Sequence, residues 1–216
     1  MHALLIGATG ATGKDLLELL LKDNAIHQVD IFVRRHPDLQ HNKLNIHVIE
    51  FDRPEQWKHL VKGDVLFSCL GTTLKAAGSK DAQWKIDYEY QYAFAKAAQE
   101  NNVHRYVLVS SDFADPNAKF FYPKMKGELE EAVKMLEFQT LIIFNPPLLI
   151  RKNSNRPVEV IGWKVINFFN QLGLFRSQKP LPTEILAQAM INAAKLNATG
   201  IFTFTGKEIW QCAGKD

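Results

Sequence analysis

The chain has 216 residues, a hydrophobic share of 46% and a net charge of +3, which suits one globular domain with a real core. That charge is small and dispersed and demands no nucleic-acid partner, and apolar runs such as 16–21 and 141–150 fall far short of the roughly 20 residues of a membrane helix. Two cysteines, Cys69 and Cys212, make no disulfide framework, and the chain opens with no basic leader, cleavage signal or lipidation motif, so a reducing, cytoplasmic setting is expected.

In chain order, apolar runs of strand length stand at 2–7, 28–35, 44–52, 64–71, 105–111 and 139–145. Helix-length stretches separate them at 12–23, at 81–102 and from 122 to about 137. Strands rich in Val, Ile and Leu that alternate with helices predict an α/β fold, a doubly wound parallel sheet covered on both faces. The link between the second and third strands is about ten residues, close to the minimum for a crossover. Beyond residue 150, helices over 163–175 and 182–196 and a closing strand over 200–204 are expected. The chain thus reads as a single domain, 1–216, with 151–199 forming most of a cap on the substrate side. The histidines show no ligand-like spacing beside carboxylates or cysteines, so no metal site is expected.

The stretch "IGATGATGK" leaves the first strand and opens the first helix. Gly7, Gly10 and Gly13 form G-x-x-G-x-x-G, one residue longer in its first gap than the dinucleotide fingerprint. One glycine permits the sharp turn, one lets backbone approach a pyrophosphate, and one lets helix pack on strand. The helix N-terminus offers free N–H groups and a positive dipole end, which makes Gly7, Thr9, Gly10, Ala11, Thr12 and Gly13 candidate cofactor contacts. The second strand ends in Arg34 and Arg35 rather than in an acidic residue. Two guanidinium groups there suit a 2′-phosphate and favour NADP over NAD; Asp30 comes too early to reach a ribose.

Tyr122 and Lys126 stand four apart with Pro123 between them. Proline is tolerated in a first helical turn, so Tyr122 reads as a helix entrance with Lys126 on the same face one turn on. The preceding strand ends in Ser110 and Ser111, and strand C-termini face the ligand in such sheets. A tyrosine whose pKa is lowered by a nearby ammonium can exchange a proton with a carbonyl oxygen, and a serine hydroxyl can hold that oxygen. Tyr92 and Lys96 repeat the spacing deep inside the long helix, where helix packing or a subunit contact is the expected role.

Together "GATGATGK", the strand-two arginines, "CLGTT" at 69–73, "KIDYEY" at 85–90, "VSSDF" at 109–113 and "YPKMKGELE" at 122–130 resemble the short-chain dehydrogenase/reductase superfamily. Within it the chain is similar to the Tat-interacting-protein oxidoreductases and their small bacterial relatives. The resemblance implies an NADP-binding Rossmann domain. It makes Tyr122, Lys126 and either Ser110 or Ser111 catalytic, and it lays Leu70, Gly71, Thr72 and Thr73 along the cofactor. A homodimer, by the same resemblance, would use the 81–102 helix and the helix from Tyr122. Relatives often show Arg-Pro-Gly after the sixth strand, where this chain has Asn145-Pro146-Pro147. The expected function is NADP(H)-dependent hydride transfer to or from a small carbonyl or alcohol. The alternatives are an NADPH-binding regulator with little turnover, or a cofactor-recycling epimerase or dehydratase. The short C-terminal remainder favours a compact substrate.

Overall fold

The computed structural model describes residues 1–150 and 180–215. β1 (His2–Ile6) leads through the glycine loop to α1 (Ala11–Lys22), then to β2 (Gln28–Val33) and β3 (Leu44–Val48). After α2 (Pro54–Trp57) and a 3-10 turn comes β4 (Val65–Ser68). Next are α3 (Leu74–Ala77), α4 (Lys80–Trp84), a π-helical turn over Lys85–Glu89 and α5 (Tyr90–Glu100). β5 (Arg105–Val109), α6 (Phe121–Lys134), β6 (Thr140–Asn145) and β7 (Leu149–Ile150) follow. β8 (Leu181–Pro182), α7 (Thr183–Ala194), β9 (Gly200–Thr205) and α8 (Gly206–Cys212) complete the described chain.

Seven strands form one parallel sheet in the order β3-β2-β1-β4-β5-β6-β9, and β7 pairs with β8 apart from it. The thin β2–β3 link does form a parallel crossover, from Val29 opposite Leu44 to Val33 opposite Val48. It needs no covering helix because β3 is an edge strand that is nowhere fully buried. Successive residues of β1 feed opposite cores, as a pleated strand requires. Ala3 and Leu5 pack with α1, α7 and α8, while Leu4 and Ile6 pack with Phe94, Ala95 and Ala98 of α5 and with Leu129 and Val133 of α6. Phe94 stacks on Trp57 with ring centroids 4.0 Å apart. The strand order reverses between β1 and β4, which puts a crevice at their C-terminal ends.

One expectation changes. The 81–102 helix is interrupted: at the π turn one extra residue per turn rotates Asp87 inward. Of the residues expected to cap the substrate side, 151–179, including the helix expected over 163–175, lie outside the described residues. α7 packs in the core layer with α1, burying Leu186, Met190 and Ile191.

Asp30, in the middle of β2, is buried. It accepts hydrogen bonds from Gln28, Asn45 and His47 at 2.9 Å each, and His2 Nε2 lies 3.0 Å away. Burial alone would raise its pKa, but the bonds from His2, Gln28, His47 and Asn45 outweigh it and hold the carboxyl well below the usual range. A depressed folded pKa gives stability that is present above the ordinary carboxylate value of about 4 and is lost as pH falls toward the folded value. Wild type should therefore lose urea resistance below about pH 4. Asp30→Ala should be weaker at neutral pH by about 1–3 kcal/mol and show a shallower acid dependence. Urea melts across this range measure both.

Candidate active site

The β1–α1 loop is built around backbone contacts that no side chain could share. Gly7 has φ +80°, and a Cβ there would lie 2.4 Å from the Cys69 carbonyl; at Gly13 it would lie 2.1 Å from the Gly7 carbonyl oxygen. Gly7 thus joins the loop to the end of β4, and Gly13 seats α1 on the loop. At Gly10 the nearest atom to a Cβ is Gly7 O at 3.2 Å, a tight contact that the loop could meet only by giving a few tenths of an ångström. Gly10 is the N-cap of α1, with no side-chain cap and no acidic residue in the first turn. The first N–H groups of the helix therefore have neither a side-chain partner nor a repelling charge. Thr9 is exposed, Ala11 half-buried and Thr12 buried. This cradle, which a Cβ would fill, fits a pyrophosphate.

Across the crevice runs the 69–73 loop. Asp87 Oδ1 accepts from the Thr72 backbone N–H at 2.9 Å, and Gln83 donates to the Thr72 carbonyl at 3.2 Å. Leu70 and Thr72 are half-buried and Gly71 is exposed. Thr73 accepts from Ala76 N as the cap of α3, so its hydroxyl already has a local partner. Arg34 and Arg35 are both exposed where β2 ends, and the Arg34 charge is felt at the Tyr90 hydroxyl.

At the ends of β5 and β6 the structure brings together Ser110, Ser111, Tyr122 and Lys126. Tyr122 stands in the first turn of α6 and keeps 40% of its surface exposed. Its hydroxyl end is the desolvated part, and Ser111 lies near enough to favour the phenolate. Ser110 turns the other way and donates a short hydrogen bond to Glu130. Lys126 is 3% exposed. Burial pulls the lysine below its ordinary pKa, against the opposing charges of Asp87 and Glu130. Tyr92 stacks on Tyr88 with centroids 6.2 Å apart, and Lys96 lies exposed 3.9 Å from Glu100.

The expected lowering of the tyrosine pKa is corrected. Burial and the Asp87 charge push Tyr122 up to about 12, and Ser111 opposes them only in part. The charges of Asp87 and Glu130 act on Lys126 as well. Sequence reasoning missed Asp87, Glu130 and Asn145. Asp87 is buried with Oδ2 unpartnered, and Asn145 donates to Glu130 at 3.2 Å with its own Oδ1 unpartnered. The i+4 spacing from Lys126 to Glu130 was the one available signal. Gly127 was missed as well: a Cβ there would lie 2.2 Å from Pro116 N, so the loop after β5 presses directly on α6.

Residues 7–138 match a family described as NAD(P)H-binding. Protein fmp52, mitochondrial, from Emericella nidulans is 30% identical over 98% of this chain and 95% of its own length. Protein FMP52, mitochondrial, from Candida albicans is 31% identical over 93% of this chain and 90% of its own. Among solved structures, MoeE5 in complex with UDP-glucose and NAD matches with a TM-score of 0.73 at 13% identity, covering 99% of this chain and 81% of that one; at that identity the likeness concerns the fold. The expectation of a cytoplasmic chain is corrected, because relatives that align along nearly its whole length are named mitochondrial. Free thiols distinguish reducing from oxidising surroundings and carry no information about which reducing compartment holds the chain.

The glycines separate by role. Gly13→Ala should lower the melting midpoint, because the clash is with backbone that cannot yield, at a cost of about 1–3 kcal/mol or more. Gly10→Ala, whose Cβ meets the same loop at 3.2 Å rather than 2.1 Å, should lower the midpoint less than Gly13→Ala yet bind NADPH more weakly than wild type. Thermal melts beside a fluorescence titration distinguish the two.

Proposed function

The chain belongs to the NAD(P)H-binding family, and from that premise we propose that it is an NADP(H)-dependent oxidoreductase of the short-chain dehydrogenase/reductase type, acting on a small carbonyl or alcohol. The observation that carries this reading is the Tyr122 hydroxyl placed near Ser111 at the end of β5, with Lys126 buried one turn further along the same helix. The Gly7–Gly13 cradle and the α1 N-terminus would hold the pyrophosphate, with Gly71 and Thr72 across the crevice and Arg34 and Arg35 toward a 2′-phosphate. When bound, the nicotinamide group supplies or accepts the hydride.

The chain's own residues move the proton. With a pKa near 12, Tyr122 is protonated at neutral pH and donates to the carbonyl oxygen as the carbonyl is reduced. In the reverse direction its phenolate takes the alcohol proton. Ser111 is the serine that shares the substrate oxygen, because the Ser110 hydroxyl is engaged by Glu130. The Lys126 ammonium stabilises the phenolate left after proton donation.

Tyr122→Phe should bind NADPH as wild type does and lose about 10²- to 10⁴-fold in kcat. Ser111→Ala should lose more turnover than Ser110→Ala. Alcohol oxidation should accelerate as pH is raised from about 7 to about 10, while carbonyl reduction changes little, since only oxidation requires the phenolate. Absence of turnover over a broad carbonyl panel, with NADPH still bound, would overturn the enzyme reading.

Cofactor choice is tested separately. Wild type should bind NADPH more tightly than NADH, and Arg34→Ala should remove most of that difference while leaving NADH affinity unchanged. Equal affinities in wild type would end the preference for NADP.

A further inference from the structure

Glu130 is a buried carboxylate that the proton transfer above does not use. It lies on α6 one turn beyond Lys126, on the same face. Its Oε1 accepts from the Ser110 hydroxyl at the end of β5 and from the Asn145 amide at the end of β6. Those two strand ends are also bound to each other, Ser110 N–H to Phe144 O at 2.8 Å and Asp112 N–H to Pro146 O at 3.2 Å. One carboxylate oxygen therefore gathers both strands onto the helix that carries Tyr122 and Lys126.

The charges around Lys126 come from two elements. Glu130 lies one turn along α6, Asp87 acts on the lysine from the π turn, and Lys134, one turn further on, acts on Glu130. Ser110 and Ser111 approach from β5 as neutral groups. Glu130 is held above its ordinary pKa by burial, opposed first by the Ser110 bond and then by Lys134, Asn145 and Lys126.

We propose that Glu130 is the positioning residue of this site: its carboxylate ties β5 and β6 to α6, withdraws the Ser110 hydroxyl so that Ser111 alone meets Tyr122, and supplies, with Asp87, the negative charge that keeps Lys126 an ammonium. The role rests on reading Tyr122 and Lys126 as the acid–base pair. Removing the charge while keeping the shape loosens the hold on the lysine proton, because a neutral amide can still accept from Ser110.

The test reads Lys126 directly, in the cofactor-free protein. Lysine side-chain NMR, with the Lys126 signal assigned by its loss in Lys126→Arg, follows the titration in wild type and in Glu130→Gln. The midpoint should fall by about one pH unit or more in Glu130→Gln and stay near wild type in Glu130→Asp, which keeps the charge. In turnover, Glu130→Gln should lower kcat with little change in KM for NADPH, a split that a merely structural role does not produce. An unchanged Lys126 midpoint in folded Glu130→Gln overturns the proposal. If Glu130→Gln does not fold, Glu130→Asp decides, and a Lys126 midpoint shifted there despite the retained charge overturns it equally. Failure of wild type to turn over any carbonyl would instead remove the oxidoreductase reading, while the lysine titration still reports on Glu130.

Discussion

A lysine ammonium taken out of water must be met by opposite charge or give up its proton. Lys126 lies in the field of two carboxylates, Asp87 on the π turn and Glu130 on its own helix, and the rest of the site is organised around that arrangement. The long helix cannot run straight through Lys85–Glu89, because the wide turn there brings Asp87 inward. Asp87 in turn fixes the 69–73 loop through Thr72. Burial first, and then the Asp87 charge, hold the Tyr122 phenol protonated rather than activated.

Backbone contact does for the crevice what charge does for its base. Gly7 meets the Cys69 peptide, Gly13 meets Gly7, and Gly127 meets the peptide that joins Asp115 to Pro116. Each contact ties a loop at a strand C-terminus to another strand or to a helix, and each leaves no space for a side chain. The loop after β1 is thereby pressed against the end of β4, and the loop after β5 against α6. Gly127 follows Lys126 directly, so the same helix turn that holds the buried charge also carries the weight of the β5 loop.

Much of this was legible before any coordinates. The alternation of apolar runs and helices anticipated the parallel sheet, and the glycine triplet between strand and helix anticipated the cradle. Pro123 marked a helix entrance within a residue of the observed start at Phe121. The interruption at Lys85–Glu89 was not legible, because a π turn keeps helical dihedrals and leaves the apolar pattern almost intact. The Tyr122 pKa came out reversed because sequence spacing reports the ammonium one turn away, and neither the burial of the hydroxyl nor the Asp87 carboxylate that arrives from another element.

Taken alone, then, the amino-acid order determined the kind of fold, the place of the glycine turn and the helix that bears Tyr122 and Lys126, since all three rest on local periodicity and short-range turn chemistry. Tertiary structure decided what depends on distant segments meeting: that Ser111 rather than Ser110 faces the phenol, that Asp87 and Glu130 share one lysine, and that Asn145 closes the group from the next strand. Neighbouring serines are indistinguishable along a chain, and only a carboxylate from another element, pulling on one of them, makes them different.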